Sequence, residues 1–493
     1  MSEPRLTYRF GPLERRGLLG SVRLGQAAIV IAGVVGAVAM LDRLPNAGGV
    51  VVGMVLVGAV TIGATVPFAG RTAEQWFPVA GSWVLRLAFG RHRYRSGLPT
   101  AGMRPRTGLP VGDDWYLPRA LTGVELVEVS DGDRTIGAVS EGHGRRLTAV
   151  LACRAIAFAL LDSEAQERRL AQWGTVLTSA ANTPIRRLQW LERTGPSQGD
   201  ELARWLHDGR DPAIPPRGTA IVESYLELIG ASTTVTQDHD VLLAIQVDAG
   251  QLRGRRRDAL GAVLVGQAER VARGLEMAEV RVLGALGARQ LARVVRTGFD
   301  PYARAELAAL EAADERRDGI ATHNAGPLGA RESWDSYRSD GALHATYWVA
   351  GWPRADVSPM FMDALLGSST IVRTVAVTFE PLAPDRSARE VEAAITRDRA
   401  DSELRVRFGQ SETARQRQAH DAAIRREAEL AAGHGEVRLS GFVTVSGRDE
   451  HDLELACSEV LQHAARARLE LHRMYGQQAD AFTFTLPLAR GLR

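Results

Sequence analysis

The stretch that decides the fold is Val124-Glu125-Leu126-Val127-Glu128-Val129, Ser130-Asp131-Gly132-Asp133 and Arg134-Thr135-Ile136-Gly137-Ala138-Val139. Apolar residues recur at near-alternate positions on both sides of a polar tetrapeptide that holds a glycine. Alternation places side chains on opposite faces of a strand, and Asp-Gly chemistry suits a tight turn, so the stretch predicts a β-hairpin. Leu147–Ala152 predicts a third strand, and a helix capped by Ser163 should follow, with Leu170, Trp173, Gly174 and Leu177 on one face. Further strands are expected at Ile185–Leu191, Val241–Val247 and Val280–Leu283, with helices at Thr219–Ile229, Arg257–Leu275, Ala288–Arg296 and Arg304–Asp318.

The second half repeats the alternation. Strands are expected at Leu343–Val349, Ile371–Phe379, Val437–Val445 and Leu469–Leu471, with helices at Pro359–Leu366 and Asp449–Ala467. The polar stretch 387–432 reads as a long helical hairpin that breaks near Gly409 and Ser411, and Ser387 with Glu390 has capping-box spacing. The expected class is α+β, with antiparallel sheets faced by helices. Glycine- and proline-rich residues 96–118 and 322–331 read as linkers. The expected division is a membrane anchor over 1–95, a first α+β half over 96–325 and a second over 326–493.

The anchor is read from hydropathy. Leu24–Leu41 and Leu44–Gly70 carry no charge, and at ~1.5 Å per residue each is long enough for a bilayer core. Two transmembrane helices, 24–41 and 44–70, are therefore expected. Gly49 and Gly53 have the spacing that lets helices approach closely. Ala37-Val38-Ala39 resembles a signal-peptide cleavage site, a competing reading that leaves the second stretch in place. Arginines flank the pair on both outer sides, among them Arg15, Arg16 and Arg23 before it and Arg71, Arg86 and Arg91 after it. That asymmetry predicts two cytoplasmic termini at a bacterial inner membrane. Trp76, Phe77, Trp83, Leu85 and Leu87 read as an amphipathic interfacial helix, with Arg91, His92, Arg93 and Arg95 toward anionic lipid.

Composition excludes much enzymology. All 60 residues of the Lys+Arg count are arginine. A P-loop nucleotidase, a protein kinase and a Schiff-base enzyme each need a lysine. The formal net charge of +2 gives no global field for nucleic acid, so direct nucleic-acid binding is left open. Cys153 and Cys457 are the two cysteines, far apart and outside any metal-ligand spacing.

Four groups merit weighing as sites. Gly195-Pro196-Ser197-Gln198-Gly199 matches a nucleophile elbow, but Pro196 restricts the turn, and Ser197 with Asp200 also makes a helix-capping pair. Asp238-His239-Asp240 cannot all ligate one ion from a strand, where neighbours alternate faces. Arg253, Arg255, Arg256 and Arg257 could meet phosphate or start a solvated helix. His344 and Trp348 share one strand face, which packing explains without a ligand. No catalytic, cofactor-binding or metal-binding residue is assigned.

Phrases along the whole length carry a resemblance. Tyr8-Arg9-Phe10-Gly11-Pro12, Arg15-Arg16-Gly17-Leu18-Leu19-Gly20 and Gly70-Arg71-Thr72-Ala73-Glu74-Gln75-Trp76 bracket the apolar stretches. Together they resemble the PrgI-type membrane subunit of conjugative type IV secretion, in an actinobacterial conjugation family that extends it. Arg187–Arg193, His344–Trp348, Trp352-Pro353, Tyr475-Gly476-Gln477-Gln478 and Phe482–Leu488 continue the resemblance. The remainder resembles the amino-terminal, non-ATPase domain of CagE/TrbE-type assembly ATPases. The resemblance implies a non-catalytic inner-membrane scaffold of a DNA/protein transfer channel. Its implied partners are the lipid bilayer, a separate secretion ATPase and other channel subunits, in an oligomeric complex. The alternatives are a membrane-complex subunit of an actinobacterial type VII secretion system and a membrane-tethered serine hydrolase using Ser197.

Overall fold

A computed structural model describes residues 24–43, 46–65, 70–96, 117–154, 158–196, 237–251, 259–307, 318–367, 371–383 and 435–492, less 305 and 354, plus isolated positions between them. Ser197, the 219–229 helix, Arg253 to Arg257, most of the 304–318 helix and nearly all of the 387–432 hairpin lie outside these residues. So do the Tyr8–Gly20 phrases and the turn at Leu44 and Pro45.

The opening stretch forms the hairpin β2 (Val124–Asp131) and β3 (Arg134–Glu141), with Asp131 opposite Arg134. Gly132 adopts φ 61°, the left-handed conformation that suits glycine. Next come β4 (Arg146–Arg154), α4 (Ser163–Ser179), β5 (Ile185–Pro196), β6 (Gln237–Asp248), α5 (Leu260–Met277), β7 (Arg281–Ala285) and α6 (Ala288–Phe299). The helix α4 is capped by Asp162, not by Ser163: its carboxylate accepts the Ala165 N–H at 2.7 Å. A carboxylate at this end also complements the helix dipole.

The second unit runs β8 (Gly329–Glu332), β9 (Tyr337–Ser339), β10 (Ala342–Gly351), α7 (Asp363–Leu366), β11 (Val372–Leu382), β12 (Glu436–Gly447), α8 (Glu450–Arg466), β13 (Glu470–Arg473) and α9 (Gln478–Phe482). The expected linker 322–331 thus ends inside β8. Before both units lie α1 (Leu24–Arg43), α2 (Ala47–Thr65), α3 (Ala73–Ala88) and β1 (Arg93–Arg95).

Among the described residues all thirteen strands belong to one antiparallel sheet, ordered β1-β8-β9-β10-β12-β11-β5-β6-β4-β3-β2, with β7 paired to β4 and β13 to β10. The order is the same connectivity used twice. From the outer edge inward the first unit reads β2-β3-β4-β6-β5 and the second β8-β9-β10-β12-β11. Each long strand also takes a late partner across an irregularity, at Ala152/Cys153 in β4 and Val349/Gly351 in β10. The units meet where β5 pairs antiparallel with β11, Leu191 opposite Ala376. An approximate two-fold axis therefore passes between these strands.

Each face of the sheet has its own cover. On one face, α4 and α5 close a core over Leu151, Leu188, Leu243 and Ile245, while α7 and α8 close another over Tyr347, Val375 and Val443. Trp190 packs against both cores. On the other face lie α6 and the carboxy-terminal residues 478–490, over Val150, Leu191, Ala244 and Ala376. Helix α6 starts so close to β3 that a Cβ on Gly137 would fall 2.4 Å from the Ala288 nitrogen.

The architecture is α+β, but the expected transmembrane hairpin is corrected. Among the described residues no helix is long and apolar enough to cross a membrane. Within the charge-free stretch 44–70 the described helix is Ala47–Thr65, diluted by glycines at 48, 49, 53, 58 and 63. Helix α1 closes on Asp42 and Arg43 and holds a polar side chain, Gln26, whose Nε2 donates to the Ala64 carbonyl of α2 at 3.0 Å. A run without charges measures composition, whereas crossing needs one sufficiently long and apolar helix.

Candidate interaction surface

The amino-terminal helices bind to the second unit through α3 and β1. At the start of α3 the Gln75 side chain reaches back, its Oε1 accepting the Thr72 N–H at 3.1 Å. Trp76 stacks on Trp334 at 5.8 Å between ring centroids, Trp83 meets the same ring edge-on at 5.7 Å, and Tyr475 lies 6.3 Å from Trp76. Arg71 sits over Trp76, and its guanidinium reaches the Met474 sulfur at 3.4 Å. Arg86 donates to the Gly476 carbonyl and lies 3.6 Å from the buried Glu332 carboxylate. Burial pushes the Glu332 carboxyl above its ordinary range, against the Ala479 N–H and Arg86, which stabilise its charge. The strand β1 then extends the sheet at β8, Tyr94 opposite Ala330.

This arrangement splits the expected interfacial helix. Trp76 and Trp83 turn inward onto the body, while Phe77, Leu85 and Leu87 remain exposed, Phe77 at 82%. They join Val84 and Phe89 of the same segment and Ile31, Val35, Val38, Met54, Val55 and Ile62 of the helix pair as exposed large hydrophobics. Apolar patches beyond a few hundred Å² mark interaction sites. Within the pair Gly53 faces α1 at ordinary contact distance: a Cβ there would lie 3.7 Å from the Ala37 Cβ.

Trp334 is the hinge of this docking and is 37% exposed. Trp334→Ala should cost about 2 kcal/mol, below the ~3–5 typical of a fully buried Trp. Hydrogen exchange should show α3 amides losing protection while β12 keeps its own. Unchanged α3 protection would mean that the aromatic cluster does not hold the helix.

The sequence candidates fall elsewhere. Asp238, His239 and Asp240 lie at the start of β6 and divide between its faces. His239 Nδ1 stands 2.7 Å from Glu192 Oε1, while Asp240 pairs with Arg304. Among the described residues no cluster of potential ligands fits a metal ion. Both cysteines are buried, and burial pushes the Cys153 thiol up to about 11, which disfavours thiolate chemistry. His344 is fully buried, with Nδ1 2.8 Å from Ser446 Oγ and Nε2 2.9 Å from Ser339 Oγ and 3.0 Å from the Phe299 carbonyl. Burial pushes its pKa down to about 4. Trp348 lies edge-on to His472 on the same strand face.

Sequence reasoning missed a polar set inside the sheet. Gln189 Nε2 donates to the Phe484 carbonyl at 2.7 Å, and its Oε1 accepts the Ala489 N–H at 2.8 Å. Gln246 donates to the Leu488 carbonyl, Thr378 to that of Arg490 and Arg187 to that of Leu492. These side chains do for the carboxy-terminal segment what a neighbouring strand would do. The signal was present as Arg187, Gln189 and Arg193 at alternate positions of a strand too central for a wet face.

Comparison with known proteins bears on the body rather than on the helices. No curated protein matches the chain. Residues 238–349 match the family model described as "Putative type VII ESX secretion system translocon, EccE". The match covers less than a quarter of the chain and runs from β6 to β10, across the boundary between the two units. The family it names is a type VII one and neither the PrgI-type nor the CagE/TrbE-type, so the type IV reading draws no support from it. Over those residues the chain is similar to a type VII translocon family, which supports a role as a component of a secretion system.

Proposed function

We propose that the chain is a non-enzymatic subunit of the membrane complex of a type VII secretion system. The match over 238–349 carries this reading. The exposed apolar residues of α1, α2 and α3 support a place at the cytoplasmic membrane, beside lipid and neighbouring subunits. Arg91, Arg93 and Arg95 at the end of that layer suit anionic headgroups. The two-unit sheet then stands on the cytoplasmic side as a rigid platform. A separate ATPase supplies the energy, since this chain has no lysine for a phosphate loop.

Deletion in the host should stop export of the small Trp-x-Gly proteins that such systems secrete, and the intact gene should restore it. Export that continues while conjugative DNA transfer fails would replace this reading with the type IV one. Loss of neither would remove the secretion role.

A further inference from the structure

The two units differ at their outer edges. In the second unit the edge strand is β8, and it receives β1, Arg93-Tyr94-Arg95, with Arg93 opposite Arg331 and Arg95 opposite Gly329. Flanking bonds lengthen this pairing: the Glu332 N–H donates to the His92 carbonyl and the Ser96 N–H to the Leu328 carbonyl, each at 2.8 Å. In the first unit the corresponding edge strand is β2, twice as long as β8. Among the described residues β2 pairs with β3 alone.

The geometry of that edge follows from the turn. Asp131 and Arg134 close a two-residue turn and form a hydrogen-bonded pair, after which bonded and non-bonded pairs alternate. Glu128 and Gly137 are then a non-bonded pair, whose N–H groups point away from each other. Gly137 agrees, since its N–H donates to the Leu286 carbonyl at 2.8 Å, on the side away from β2. Val124, Leu126, Glu128 and Ser130 therefore direct their N–H and C=O groups to the open side.

The charges on this edge are acidic. Glu125 and Glu128 are exposed and stand opposite Ser140 and Gly137, which offer no counter-charge. We propose that the outer edge of β2 receives an extended, arginine-bearing strand from another subunit of the complex, in the way that β1 adds to β8. Main-chain bonds supply the affinity in such strand addition, and charge selects the strand. Only the origin of the strand depends on the secretion-complex reading; the edge chemistry is tested directly.

The probe is a synthetic peptide with the sequence of residues 91–96, added to the full-length protein. Hydrogen exchange at Val124, Leu126, Glu128 and Ser130 should slow about ten-fold at a free peptide concentration ten times Kd. A peptide with glutamate for each arginine should not protect them. In the double variant Glu125→Arg with Glu128→Arg the preference should reverse, toward the glutamate peptide. N-methylation of the peptide at alternate residues should abolish protection in one of its two phases and spare it in the other. No protection up to the solubility limit overturns the proposal. Protection indifferent to both N-methylation phases also overturns it, because it would show charge adhesion without strand pairing.

Discussion

A chain ending after Gln477 is expected to lose its cooperative fold. The missing residues include Phe482, Leu486 and Leu488, each 2% exposed, on the sheet face they share with α6. At about 1.5–3 kcal/mol for each fully buried large side chain, these three alone contribute about 5–9 kcal/mol. Their removal also strands the sheet's polar set. Gln189, Gln246 and Thr378 lose the carbonyls of Phe484, Leu488 and Arg490, and Glu141 loses the Arg490 guanidinium, whose Nε lies 2.6 Å from Oε1. Water reaching the uncovered face relieves part of that penalty, about 1–3 kcal/mol for each group that stays buried. The total reaches the whole stability of an ordinary domain, about 5–15 kcal/mol.

Urea unfolding of the full and shortened chains, followed by near-ultraviolet circular dichroism, checks this. The shortened chain should show no cooperative transition. A transition within about 2 kcal/mol of the full chain's would make residues 478–492 an ornament on the sheet. Gln189→Leu separates the two contributions, because it leaves the apolar contacts in place and orphans the Phe484 carbonyl and the Ala489 N–H. It should cost about 2–4 kcal/mol.

The segment also shows where the sequence was legible. Strands with ordinary alternation, such as Val124–Val129, were placed within two residues of their observed ends. The strand expected at Ile185–Leu191 runs on to Pro196: Glu192, Arg193 and Thr194 look like surface in sequence, although all three are buried. Alternation reports whether one face is apolar; it does not report that a buried face can be satisfied by a crossing chain. The repeat was invisible for a related reason. The units share connectivity, while their edge hairpins, their helices and the intervals 197–236 and 383–435 differ in length. At the amino terminus, hydropathy located the helices and missed what they pack against. It gave Trp76 and Trp83 to a membrane interface, although Trp334 and Tyr475 take them. Nothing local to residues 71–86 announces partners some 250 to 400 positions away.

Acid should weaken the same sheet face through His344. Its ring is fully buried, 4.7 Å from the Phe482 ring between centroids, and its pKa is pushed down to about 4 from an ordinary 6.5. Above pH 6.5 the imidazole is neutral in the folded and unfolded chains, and no stability depends on it. Below 6.5 the unfolded chain takes up a proton that the folded chain refuses until about pH 4. Stability therefore falls with pH across that window, by about 2.5 kcal/mol at pH 4.5. Carboxylates titrate in the same range, so the difference between wild type and His344→Gln isolates the histidine. His344→Gln should be the less stable chain at pH 7.5, through imperfect bonding to Ser339 and Ser446. The gap should shrink by about 2.5 kcal/mol at pH 4.5, since glutamine has no proton to gain. A gap independent of pH would mean that the ring reaches water or a counter-charge, and that the packing of Phe482 against it is looser than the distance implies.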